Sequence, residues 1–181
     1  MRLRNFEKIA KISFLALLTG CATPNEGKVP QVPEVLKVPG TQVLSLAAQA
    51  TGVQIYECKA TSENPASFEW IFKAPAAELF DTAGKKIGSH YAGPTWESND
   101  GSKVVGEVTK WEKGPDPNAI PWLLLTAKST SGSGLFSQTQ SIQRVNTFGG
   151  KAPESGCNKV LAGKEVRMPY KATYYFYMKR P

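Results

Sequence analysis

Residues 52–58 read Gly52-Val53-Gln54-Ile55-Tyr56-Glu57-Cys58, and this stretch sets the fold class. A glycine punctuates the chain, and β-branched and aromatic residues follow it, as in a strand. Just upstream, Leu44 and Leu46 alternate with polar or small residues. Further strands are expected over Phe68–Lys73, Lys85–Tyr91, Lys103–Lys110, Trp122–Lys128, Leu135–Val145 and Ala172–Met178. Asp81-Thr82-Ala83-Gly84 and Asn99-Asp100-Gly101-Ser102 are turn signals, the second suited to a hairpin. Pro75-Ala76-Ala77-Glu78-Leu79 is read as one helical turn. Strands at short intervals, without long amphipathic helices, predict an all-β fold. It is an antiparallel barrel or a sandwich, with few or very short helices.

The chain has 181 residues, 41% apolar, 10% aromatic and 20% charged. That supports one domain with a real core rather than two, and it excludes wholesale disorder. No window holds the roughly 18 consecutive apolar residues of a membrane-spanning helix.

The first twenty residues carry an address. Arg2, Arg4, Lys8 and Lys11 precede the short apolar run Ile12-Ser13-Phe14-Leu15-Ala16-Leu17-Leu18, the layout of an export signal. It ends in Leu18-Thr19-Gly20-Cys21, which resembles the lipobox of bacterial lipoproteins. There a cysteine thiol accepts the diacylglyceryl group, and small residues before it suit the signal peptidase. Residues 1–20 are therefore expected to be a signal peptide, with Cys21 the lipidated first residue of the mature chain. Removing the four cations and Glu7 leaves 18 Lys+Arg against 14 Asp+Glu, so the formal charge falls from +7 to +4. With no RNA-recognition signature, basic-aromatic stripe or zinc-finger spacing, nucleic acid is not an expected partner. Ala22 follows the cysteine in place of Asp, and resemblance to enterobacterial lipoprotein sorting then implies the outer membrane, with the protein facing the periplasm. Several acyl chains hold a protein stably where one does not.

Residues 21–40 carry Pro24, Pro30, Pro33 and Pro39 among polar residues, and they read as an extended tether. Val35-Leu36-Lys37-Val38 is its part nearest the domain, which is expected over residues 41–181. Once Cys21 is assigned to lipid, Cys58 and Cys157 remain as an even pair in an oxidising compartment, and a disulfide is expected. Free thiols or a metal pair are the alternatives. With no further cysteine and a single histidine, a closed zinc site lacks ligands.

Several stretches, in order, resemble the domain-of-unknown-function family numbered 3455, found in bacteria and fungi. They are Gly52–Cys58, His90-Tyr91-Ala92-Gly93-Pro94-Thr95-Trp96 with Asp100-Gly101-Ser102, Pro121-Trp122-Leu123-Leu124-Leu125, Thr147-Phe148-Gly149-Gly150 and Tyr174-Tyr175-Phe176-Tyr177. The resemblance covers most of residues 35–181 and implies no activity. A weaker likeness is to membrane-anchored inhibitors of c-type lysozyme, through Tyr56-Glu57-Cys58 and a late cysteine. Their Ser-Gly-x-x-Tyr loop is not reproduced by Gly88-Ser89-His90-Tyr91.

The sole histidine, His90, lies between glycines and a proline, beside a hydroxyl, a phenol and an indole. It can be a structural residue bonding a backbone carbonyl, a ligand contact, or a base. A hydrolase would pair it with Ser89 or a nearby carboxylate, but no Gly-x-Ser-x-Gly elbow is present. Glu57, Glu69, Glu97, Asp100 and Glu107 leave a paired-carboxylate site conceivable. Glu97-Ser98-Asn99-Asp100-Gly101 lacks the calcium-loop spacing and reads as a turn. No P-loop or dinucleotide fingerprint occurs, so neither cofactor nor metal is expected. On one strand, Tyr174 and Phe176 face one side while Tyr175 and Tyr177 face the other. One set fills a core, and the other is covered by a second layer or exposed as a platform. Gln138, Gln140 and Arg144 are placed on one polar strand face that lines a cavity or meets solvent. The leading expectation is a lipid-anchored periplasmic binding or structural module whose contact surface is His90, Tyr91 and Trp96, with Arg144 as a neighbour. Its partner is an envelope protein, glycan or lipid. A His90 hydrolase and an inhibitor of an envelope-directed enzyme such as lysozyme are the alternatives.

Overall fold

A computed structural model describes residues 29–181. The expected signal peptide, Cys21 and the first tether residues lie outside them. Eight strands run in chain order: β1 Gln42–Ala60, β2 Phe68–Phe80, β3 Lys86–Tyr91, β4 Thr95–Ser98, β5 Lys103–Glu112, β6 Trp122–Ser131, β7 Thr139–Gly149 and β8 Glu165–Lys179. Each pairs antiparallel with the next, and β8 returns to β1, so the sheet closes into an up-and-down barrel. The barrel, not the sandwich, is the solution. Closure leaves no free sheet edge where all eight strands are paired. The only helical pieces among the described residues are two single 3-10 turns, Glu34–Leu36 and Lys159–Leu161.

Two local readings are corrected. The predicted helical turn at Pro75–Leu79 is part of β2, because pairing with β1 outweighs the helix preference of Ala-Ala-Glu-Leu. Pro75 is tolerated there because β2 meets β3 only from Ala77 to Phe80, so its missing N–H removes no bond on that side. The break expected at Gly52 is absent, and β1 runs through it for 19 residues. Gly52 is instead a point of close approach, where a Cβ would collide with the Ala76 carbonyl.

Inward residues of seven of the eight strands build the apolar core: Ala48 and Ala50 of β1, Leu79 of β2, Trp96 of β4, Val104 of β5, Leu125 of β6, Ile142 of β7, and Tyr174 and Phe176 of β8. An eight-stranded barrel has an interior just wide enough to be filled by side chains or to hold one small ligand. Both occur here. At the end where β1 begins, the 132–138 loop turns Phe136 inward, fully buried, with its ring centroid 4.7 Å from that of Phe176. Asp100 holds this stopper: Leu135 N donates to its Oδ2 at 2.9 Å, while Ser102 Oγ donates to its Oδ1 at 2.6 Å and accepts from Phe136 N at 3.0 Å. At the other end, Cys58 and Cys157 form the expected disulfide, Cα–Cα 5.4 Å, which ties the long 150–164 loop to β1.

The second face of β8 is covered. Tyr177 lies on the same face as Gln143 of β7, donates to Gln143 Oε1 at 2.6 Å, and is buried. Gln143 Nε2 donates to the Leu36 carbonyl at 2.6 Å, and Leu36 is itself fully buried. The Glu34–Leu36 turn thus packs on the outside of the barrel beside β5, tied to β7 through Gln143.

Candidate functional site

The site begins with a mismatch of strand lengths. β3 and β4 have six and four residues, while their neighbours β2 and β5 have thirteen and ten. The short hairpin stops at Ala92-Gly93-Pro94, and the first half of β2 and the last half of β5 rise past it without a partner on that side. A window opens there into the barrel, with Phe72 and Val108 at its sides, each about half exposed. It leads to a cavity of about 320 Å³, within the range of small-molecule sites.

Deep in the cavity the lining is aromatic and polar. His90 and Trp96 are cross-strand partners on β3 and β4, stacked with centroids 4.4 Å apart and planes 13° from parallel. Tyr174 meets both edge-on, at 5.1 and 5.3 Å. Gly106 of β5 makes the room: a Cβ there would stand 2.9 Å from Trp96 Cζ3 and 3.2 Å from Leu125 Cδ2. Arg144 is the β7 partner of Tyr174, and so points to the same face. Its Nε and Nη2 both donate to the Pro121 carbonyl, at 3.2 and 2.9 Å. That carbonyl is fixed by the loop before β6, where Thr147 Oγ1 donates to Ile120 O at 2.7 Å and Ile120 N donates to Gly149 O at 2.9 Å. Gln54 of β1 completes the wall.

The electrostatics are one-sided. Arg144 is half-buried and forms no ion pair among the described residues. Lys73, the other cation of the lining, is engaged at the rim by Glu165 at 2.7 Å and Glu57 at 3.3 Å. Gln54 and Trp96 are only 2% and 1% exposed, yet Gln54 Nε2, with the Tyr170 phenol nearby, and Trp96 Nε1 make no hydrogen bond of ordinary length among the described residues. His90 Nδ1 donates to Thr95 O at 2.8 Å, which leaves Nε2 as the lone-pair nitrogen of a neutral ring. Burial, reinforced by the Arg144 charge and opposed by the bond to Thr95, pushes the imidazole down to about 3.

Of the four residues singled out in the sequence, His90, Trp96 and Arg144 meet in this cavity, and Tyr91 does not. Tyr91 is on the opposite face of β3, where it donates to Glu97 Oε2 at 2.6 Å; Glu97 also pairs with Lys103 at 3.2 Å. Ser89 shares that outer face, so it points away from His90. The lining contains no Ser, Thr, Cys, Asp or Glu, so it offers His90 neither a Ser, Thr or Cys nucleophile nor a carboxylate partner. Among the described residues, no group of three or more His, Cys, Asp or Glu is placed to hold a metal ion. Gln138 and Gln140 are exposed and apart from Arg144, because a register shift between Thr139 and Ser141 breaks the period-two count. The residue that sequence reasoning passed over is Gln54. Its signal was present: it is an amide two residues from Gly52 and Tyr56, on the face that turns inward.

An eight-stranded barrel with one stoppered end and one side window defines the architectural class. Residues 39–178 match the family described as "Protein of unknown function (DUF3455)", and the chain belongs to that family. No curated protein and no solved structure matches the chain.

Proposed function

We propose that this protein is a lipid-anchored binding module of the bacterial outer membrane, facing the periplasm, whose barrel holds a small, largely apolar molecule. The anchor is the diacylglyceryl group on Cys21, reached through the Pro-rich tether. One observation carries the binding reading: the barrel is packed solid around Phe136 and Phe176 yet keeps a windowed cavity of about 320 Å³ beside Gln54, Trp96 and Arg144. A barrel built only for rigidity gains nothing from such a void, because unfilled interior volume costs stability.

The test is a thermal-shift screen of the chain from residue 21 carrying Cys21→Ser, with its disulfide intact. The panel holds fatty acids, phospholipids, cell-wall fragments and haem. A binder present at 100 times its dissociation constant stabilises by about 2.7 kcal/mol. The shift is expected in the parent and lost in Leu123→Trp, which fills the cavity from β6. An equal shift in both places binding elsewhere and removes the proposal. The anchor is tested separately: labelled palmitate fed to cells enters the parent and not Cys21→Ala.

A further inference from the structure

The unpaired polar groups of the cavity, on Gln54, Trp96 and Arg144, lie within it, while Phe72 and Val108 stand at the window beside the ion-paired Lys73, which gives the bound molecule a direction. Resting on the binding reading above, we propose that the ligand is an amphiphile with a carboxylate head. It enters head-first, its carboxylate meeting Arg144, Gln54 and Trp96 and its apolar tail running out between Phe72 and Val108.

Three observations carry this. First, Arg144 is a permanent cation inside a barrel, with no carboxylate partner among the described residues. Its other contacts are neutral, the Pro121 carbonyl through Nε and Nη2 and the Tyr174 phenol beside it. A half-buried guanidinium without a carboxylate partner offers a charge-assisted site for an anion. Second, Gln54 Nε2 and Trp96 Nε1 are buried donors without acceptors, and each unmade bond of this kind costs free energy that a ligand oxygen restores. One guanidinium and two neutral donors suit a singly charged, two-oxygen acceptor. A doubly charged head would leave net negative charge among Leu125, Tyr174 and the His90–Trp96 stack. Third, Leu123, Pro75, Phe72 and Val108 lead from this polar floor to the outside, and Phe72 and Val108 remain about half exposed. An alkyl tail covers them. The opposite orientation would bury a tail against the Arg144 charge and leave Gln54 Nε2 and Trp96 Nε1 without acceptors.

The experiment is calorimetric titration of the Cys21→Ser chain with decanoate, decanol and decylamine, three probes with one tail and three heads. Decanoate is expected to bind about tenfold or more tighter than decanol, with decylamine weaker still. In Arg144→Gln the decanoate affinity falls by about tenfold or more, while decanol stays within about twofold. Circular dichroism and the intact disulfide verify that the variant is folded. Arg144→Lys is a second variant: it keeps the charge and recovers part of the decanoate affinity. Equal parent affinities for decanoate and decanol, both abolished by Leu123→Trp, overturn the head assignment and leave the cavity reading standing. Absence of binding by all three probes up to about 1 mM overturns both.

Discussion

His90 lies flat on Trp96, ring centroids 4.4 Å apart, while its Nδ1 donates to the Thr95 carbonyl 2.8 Å away. The pair forms one wall of the cavity, and the arrangement fixes the imidazole as a neutral ring. A stacked, fully enclosed imidazole cannot take a second proton without leaving a charge beside the Arg144 guanidinium.

That relationship gives the protein an acid sensitivity. In the unfolded chain a histidine titrates at about 6.5, and in the fold burial holds His90 down to about 3. The unfolded state therefore binds the extra proton between these values. The stabilisation is complete above about pH 6.5 and is lost as pH falls toward 3. Chemical denaturation at pH 7 and pH 4 should differ by a few kcal/mol on the order-of-magnitude scale of linkage. In His90→Phe, which keeps an aromatic ring against Trp96, this difference should shrink. An unchanged pH dependence would show that other groups carry it.

The Cys58–Cys157 bridge closes a chain segment of 99 residues. In the chain-entropy account, a loop near that length contributes about 4.7 kcal/mol. The double variant Cys58→Ala/Cys157→Ala should lose stability on that scale in urea denaturation. The loss should also free the 150–164 loop, read as faster amide exchange there than in β8.

Gly106→Ala tests the fit of the indole. The new methyl meets Trp96 Cζ3 at 2.9 Å and Leu125 Cδ2 at 3.2 Å, so Trp96 must move into the cavity. Overpacking of this kind costs about 1–3 kcal/mol. The substitution should lower Tm and weaken ligand binding together; an unaltered Tm would mean the wall yields freely.

Phe136→Ala unplugs the opposite end. A fully buried phenylalanine replaced by alanine loses about 3–5 kcal/mol. Denaturant midpoints give the measurement, and a loss below about 1 kcal/mol would contradict the stopper role.

Gln143→Leu tests the strap across the outer face. It removes both the donor to Leu36 O and the acceptor for Tyr177 Oη while keeping the size of the side chain. Limited proteolysis should then cut near Glu34–Leu36 sooner than in the parent, with the barrel intact. Unchanged cleavage would show that Leu36 is held by its own burial.

Most of the architecture was legible because it rests on local signals. The turn at Asn99–Ser102, the aromatic alternation over Tyr174–Tyr177 and the parity of Cys58 and Cys157 each have a short-range chemical reason. What escaped depends on partners distant in sequence. The helix-like Pro75–Leu79 is a strand because β1 lies beside it, and β1 passes Gly52 because Ala76 and Ala77 approach it. The four-residue β4 is too short to leave a pattern of its own. In the site, His90 and Trp96 stood out by rarity and bulk, and they do face each other across a hairpin. Tyr91 stood out equally and points away, since adjacent strand residues alternate. Gln54 drew no notice because only barrel closure brings β1 round to face Arg144.

A ligand in the cavity beside Trp96 is reported directly by the Trp96 indole N–H. The measurement is a two-dimensional nitrogen–proton NMR titration of the labelled Cys21→Ser chain with decanoate, with the Trp96 signal assigned from Trp96→Phe. The Trp96 indole resonance should move in a saturable way while those of Trp70, bonded to Ser155 O, and of exposed Trp111 stay in place. A stationary Trp96 resonance at saturating decanoate, or movement of Trp111 in its stead, would contradict binding in that cavity.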